Sequence, residues 1–107
     1  MWQTSLSMGV QRICFLTAEI SPFAKTGGLG DVASALARHL HRRGHDIRVF
    51  VPLHALSDLQ GCEQRPVPAL QGLSVTVGTS LFRYDVREAR LPGSDVWIQL
   101  VDCPALF

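Results

Sequence analysis

Residues 12 to 52 run in the order strand pattern, glycine-rich turn, helix pattern, strand pattern, and this order constrains the fold more than any other feature. "RICFLTA", 12 to 18, is a short continuous apolar run of the kind that fills a strand buried on both faces of a parallel sheet. Cys14 within it reads as a small buried hydrophobe. "DVASALARHLHRR", 31 to 43, predicts a helix, because Val32, Leu36 and Leu40 recur at four-residue spacing with Ala33 and Ala37 beside them. Asp31 stands at its start, where a carboxylate can cap free N–H groups and meet the positive end of the helix dipole. Arg38, Arg42 and Arg43 crowd the other end, and Gly44 supplies the stop. "DIRVFVP", 46 to 52, is a second strand closed by Pro52. Strand, helix and strand in so short a span make a βαβ unit, with parallel strands and a right-handed crossover.

After Pro52 the texture changes. Residues 53 to 70 carry two prolines in "RPVP" and little periodicity, which predicts a loop with a helical turn near 55 to 60. Strand patterns return at "LSVTVG" (73 to 78), "LFRYDVREARL" (81 to 91) and "VWIQLVD" (96 to 102). Gly78-Thr79-Ser80 makes a hairpin-like break, and "LPGSD", 91 to 95, is a turn. The class is α/β, with a Rossmann-like start, a mostly parallel sheet and a hairpin-like later part. One helix against about five strands leaves the inventory lopsided, since a parallel sheet needs cover on both faces. Residues 12 to 107 therefore read as the front part of a larger, incomplete domain, and residues 1 to 11 as a loose leader in which Met8 is an alternative start.

Composition narrows the function classes. Of the 107 residues 47% are hydrophobic, enough for a packed core. The net charge of +1 gives no electrostatic footprint for nucleic acid or an anionic membrane. No apolar run reaches the roughly 18 residues of a membrane span, and the first eleven residues lack the parts of a secretory signal. Cys14, Cys62 and Cys103 are too few and too scattered for a disulfide framework or a zinc site, so a reduced, cytoplasmic setting is expected. His39 and His41 are two apart and lie on different helix faces, which makes them poor joint metal ligands. His45 reads as a hydrogen-bonded turn residue, and Tyr84 and Trp97 as packing residues.

The chemistry concentrates at "EISPFAKTGGLGDVASAL", 19 to 36. A glycine-rich turn leading into a helix amino end is an anion site in waiting: free N–H groups point outward and the dipole favours negative charge. Gly27, Gly28 and Gly30 allow positive φ or close backbone approach, and Lys25 adds a full charge. Phosphate is the obvious ligand; the plainer alternative is a turn with a solvated lysine. A P-loop is excluded, because Lys25 precedes the glycines instead of following them. Gly28, Gly30 and Ala33 formally satisfy the dinucleotide fingerprint. However, about nine residues separate the first strand from Gly28, and no acidic residue ends the second strand, which argues against a nicotinamide or flavin enzyme. Asp31 either caps the helix or faces a bound sugar, and Glu19 ends the first strand with a structural role at least as expected as a functional one.

"AEISPFAKTGGLGDVASALARHLHRRGHDIRVFVP" resembles the amino-terminal signature of bacterial glycogen synthases and plant starch synthases. In that family the pattern is a strand, then E-x-x-P-x-x-K-T-G-G-L-x-D-V, a helix, and G-H-x-V-R-V with a proline. Glu19, Pro22, Lys25, Thr26, Gly27, Gly28, Leu29, Asp31 and Val32 match in register, as do Gly44, His45, Arg48, Val49 and Pro52. "VWIQLVDCPALF" resembles the family's strand ending D-x-P-x-L-F/Y. The resemblance implies a retaining glucosyltransferase of the two-domain GT-B fold, which moves glucose from ADP-glucose to the non-reducing end of an α-1,4-glucan such as glycogen, with no cofactor and no metal. It implies that Lys25 binds the diphosphate, that backbone N–H groups at Gly27 and Gly28 help cradle it, and that Asp31 is a weaker candidate at the same cleft. It also implies that the nucleotide-binding domain and the catalytic groups lie outside these residues, so that no catalytic residue is expected here and the chain alone is inactive. The alternative is a non-enzymatic phosphate- or nucleotide-sugar-binding module built on the same βαβ unit.

Overall fold

The computed structural model describes residues 9–24, 27–54, 59 and 61–107. The βαβ unit is present: β1 (Arg12–Leu16), α1 (Gly28–Arg42) and β2 (Asp46–Pro52). Downstream lie β3 (Gln64–Pro66), a 3-10 turn (Pro68–Leu70), β4 (Leu73–Val77), β5 (Ser80–Arg90) and β6 (Trp97–Asp102). The expected helical turn falls on residues 55–58 and 60, outside the described residues, and the short β3 was not foreseen.

The strands form one sheet in the order β1-β2-β6-β5-β3, with β4 also paired to β5. β1, β2 and β6 run parallel; β5 is antiparallel to β6, β3 and β4. Gly78, at φ 63°, sits in the turn between β4 and β5, where a left-handed residue is required. Register sets the faces. Ile47, Val49 and Val51 of β2 line up with Ile98 and Leu100 of β6, and Ala89 of β5 pairs with Ile98. These residues are at most 8% exposed, and together with Ala33 and Ala37 of α1 they form the core.

Two sequence expectations change here. α1 buries its small residues, Gly30, Ala33, Ser34 and Ala37, while Val32 and Leu36 are 63% and 42% exposed. Small side chains let the helix axis settle close to a sheet whose own Ile and Val side chains fill the gap. The bulky stripe therefore points away, and only Leu40 is half-buried against the core. β1 is not buried on both faces: Ile13 and Phe15 pack under the helix, while Cys14 is exposed and Leu16 is 72% exposed. One helix covers one face, and alternation sends every second residue to the other.

The far end of that second face is closed locally. The Arg65 guanidinium sits 3.9 Å from the Trp97 ring centroid. Arg65 Nε and Gln99 Nε2 each donate to Glu88, both at 2.7 Å. On the helix side, Arg38 Nη1 donates to the Pro92 carbonyl at 2.6 Å and Arg38 Nε to Ser34 Oγ at 3.2 Å, tying α1 to the β5–β6 turn. His45 behaves as read, its Nδ1 accepting from the Gln11 N–H at 3.1 Å.

Candidate functional site

The site region begins where β1 ends. The Thr17 N–H donates to Phe50 O at 3.1 Å, and its hydroxyl to Glu19 O at 2.8 Å. Residues 20–24 then close on themselves: the Ile20 and Ala24 N–H groups each donate to the other's carbonyl at 3.0 Å. Ile20 and Phe23 are buried to 0% and 1% exposure, and the Ser21–Pro22 peptide is cis. The Ser21 N–H donates to Gly30 O at 3.0 Å, which pins this strap to the first turn of α1. Sequence reading did not single out Ile20 and Phe23; two apolar residues flanking Ser-Pro were the available signal.

α1 starts at Gly28, three residues before Asp31 and earlier than expected. The N-cap is Gly27, extended at φ −170°, which has no side chain to cap the helix. Asp31 is thus not the cap. It lies in the first turn and is exposed, one helical turn from Gly27 and Gly28 and so on their side of the helix end. Its carboxylate gains from the dipole there but would repel an anion seated on the same N–H groups, so it suits sugar hydroxyls better than phosphate oxygens. Lys25 and Thr26 lie outside the described residues. They join two fixed points, Ala24 of the strap and the N-cap Gly27.

Neither Gly27 nor Gly28 has positive φ, and nothing lies within 4 Å of where a Cβ on either would stand. The backbone angles at these positions therefore do not require glycine, and among the described residues no neighbour excludes a side chain. By contrast Gly44, at φ 88°, and Gly93, at φ 72°, occupy left-handed turns where glycine is conformationally required. Gly27 and Gly28 are exposed and add no side chains of their own over the N–H groups of the helix amino end.

Beside this helix end the carboxyl ends of the parallel strands frame an apolar groove of about 390 Å³, lined by Leu16, Phe50, Pro52, Val101 and Phe107 with Thr17, Ala18 and Val51. His54 meets the Phe107 ring edge-on at 5.6 Å. Among the described residues no cluster of His, Cys, Asp and Glu could hold a metal ion, and no helix is long and apolar enough to cross a membrane.

A parallel βαβ start with a glycine-rich strand-to-helix turn at the carboxyl edge of its sheet is the architecture of nucleotide-handling α/β enzymes. Residues 12–107 match the starch synthase catalytic domain family, and the chain belongs to that family. A glycogen synthase from Halorhodospira halophila is 41% identical over 98 residues, covering 90% of this chain and 19% of the relative. A glycogen synthase from Thermotoga petrophila is 37% identical over 89 residues, 79% of this chain and 18% of the relative. The catalytic domain of starch synthase IV from Arabidopsis thaliana, bound to ADP and acarbose, superposes with a TM-score of 0.73 at 22% identity, covering 91% of this chain and 19% of that one. The chain thus spans about a fifth of the length of the relatives it matches.

Proposed function

We propose that this chain is the diphosphate-facing front part of an ADP-glucose-dependent glycogen synthase, which extends an α-1,4-glucan at its non-reducing end. The observation that carries this reading is the exposed glycine pair at the amino end of α1. Among the described residues neither its own backbone angles nor its neighbours call for glycine, which suits close approach by a ligand. Family membership supplies the ligand class, and the matched starch synthase IV structure has ADP bound.

In this reading the Gly27 and Gly28 N–H groups and the Lys25 ammonium bind the diphosphate. They offset the charge that builds on the leaving ADP as the glycosidic bond breaks. Asp31 faces the glucosyl group. The adenine- and ribose-binding groups and those acting at the anomeric carbon belong to the rest of a full-length synthase, which works in the cytoplasm. Residues 12 to 107 are the front of its amino-terminal domain, behind a leader at 1 to 11. The alternative that the sequence leaves open is a non-enzymatic phosphate- or nucleotide-sugar-binding module built on the same βαβ unit.

The test fuses residues 12–107 to the remainder of the Thermotoga petrophila relative and measures glucose transfer from ADP-glucose. Lys25→Ala should lower kcat/KM about tenfold or more, the loss of a charge-assisted phosphate contact, and Lys25→Arg should recover only part. Gly28→Ala should leave the fold as stable or raise stability by about 0.4–1 kcal/mol, yet lower kcat/KM. Unchanged kinetics in both alanine variants would refute the reading. An inactive fusion that still binds ADP through Lys25 would favour the binding module.

A further inference from the structure

The β4–β5 hairpin carries an inference independent of glucose transfer. β4, LSVTV, pairs with β5 along one edge, and among the described residues no strand pairs with its other edge. Val77 and Ser80 close the hairpin over the two-residue turn at Gly78 and Thr79. They are therefore the terminal hydrogen-bonded pair, and alternation along the ladder turns the N–H and C=O groups of Ser74 and Thr76 outward. Natural edge strands are guarded by charge, proline, a bulge or shortness. β3 fits that rule, being three residues long and holding Arg65 and Pro66. β4 has none of these guards: its five residues pair without a bulge and carry no charge, and Val75 and Val77 are 45% and 62% exposed.

We propose that β4 is a dimerisation edge whose occupant is β4 of a second copy of this chain, paired antiparallel about a two-fold axis at Val75. The strand's own sequence selects a second copy. L-S-V-T-V reads alike in chemistry from either end: aliphatic, hydroxyl, valine, hydroxyl, aliphatic. Antiparallel pairing about Val75 sets Ser74 opposite the partner's Thr76 and Leu73 opposite the partner's Val77, like against like. Ser74 and the partner's Thr76 then exchange both backbone hydrogen bonds, and symmetry repeats the exchange, so the outward groups of both residues are satisfied on both copies. The register of β4 on β5 extends the match. Phe82 lies beside Val75, so one apolar row crosses the axis and continues into the partner's Val75 and the partner's Phe82. Arg83 lies beside Ser74, in the row that ends at the partner's Leu81, so the two arginines stand in different rows and no like charges are opposed.

Sedimentation equilibrium of the 107-residue chain tests the edge, and the expected result is a monomer–dimer equilibrium. Val75→Lys, which sets two ammonium groups against each other at the axis, should raise the dimer Kd at least about tenfold. Thr76→Pro removes an outward N–H at an edge position that tolerates proline, and should also weaken the dimer. Both positions are exposed, so the monomer should keep its circular dichroism spectrum and close to its Tm. Leu16→Asp, on β1, should leave Kd unchanged. A covalent readout does not depend on Kd. The pair at position 75 is a non-hydrogen-bonded one, the arrangement that brings Cβ atoms closest. Val75→Cys in a Cys14→Ser background should therefore form a disulfide between copies under mild oxidation, whereas Leu81→Cys, exposed on β5, should not. A chain that stays monomeric overturns the proposal, as does a dimer indifferent to Val75→Lys, a dimer lost to Leu16→Asp, or cross-linking no faster at position 75 than at 81. A monomer that takes an added extended peptide of other sequence onto β4 overturns it too, since the edge then serves a foreign strand.

Discussion

The two faces of the sheet are built from the same strands and behave differently. On the helix side Val49, Ile98 and Leu100 are 0–1% exposed. On the other side, one residue along each strand, Arg48 and Cys14 are exposed and Phe50 is half-buried. An apolar strand states that it can be buried; which face is buried depends on what packs there. The covered face holds most of the buried apolar surface of this chain, and the open face leaves apolar side chains such as Leu16 in water.

The sharpest way to break that contrast is to truncate one leucine on each side. Leu100→Ala should cost about 2–5 kcal/mol in denaturant unfolding, and Leu16→Ala less than about 0.5 kcal/mol. Comparable costs would mean that the open face is covered in the free chain. A finer probe adds volume to the helix. Ala37→Leu, at a position with 0% exposure, should cost about 1–3 kcal/mol by overpacking, whereas exposed Ala35→Leu should be close to neutral. A smaller effect tests the polar end of the open face: Arg65→Ala removes the stack on Trp97, worth about 0.5–1 kcal/mol, and the pair with Glu88, worth up to about 1 kcal/mol, measurable as a change in Trp fluorescence and a modest loss of stability.

The smallest effect is a pH dependence. Burial raises the pKa of Glu88, but hydrogen bonds from Gln99 and Arg65 and the charges of Arg65 and Arg48 outweigh it, so the net shift is downward. A carboxylate with a lowered folded pKa stabilises the fold above its unfolded pKa and loses that contribution as pH falls through the folded value. Stability should therefore drop below the ordinary carboxylate range, and Glu88→Gln should flatten part of that drop. Parallel curves for the two proteins would contradict the network.

Much of the covered face was legible in the sequence. The βαβ order, the Gly44 stop and the later strands are set by local pattern, and all are present, with ends within two residues except for the start of α1, which comes three residues earlier. What was misread depends on a partner surface. Val32 and Leu36 look like a core stripe because bulk usually marks burial, yet a helix lying close over a sheet buries its small residues instead. Cys14 looks buried because its run is apolar. Asp31 looks like a cap because carboxylates cap, but the glycines before it already turn the chain into the helix. At the candidate site the spacing of Gly27, Gly28 and Asp31 was readable, whereas the strap from Ile20 to Ala24 was not, since its bonds close over too few residues to leave a period.

Strand order departs from chain order, and one departure has a consequence for biosynthesis. β6 is the last strand in the chain, yet it lies between β2 and β5 in the sheet. While the chain leaves the ribosome, β2 has its inner edge unpaired until residues 97 to 102 emerge, some 45 residues later. The β4–β5 hairpin can form early from local contacts, but it has no sheet to join before then. Nascent chains released before Ile98 should thus remain protease-sensitive throughout β1 and β2, with protection gained in a single step once β6 has cleared the exit tunnel.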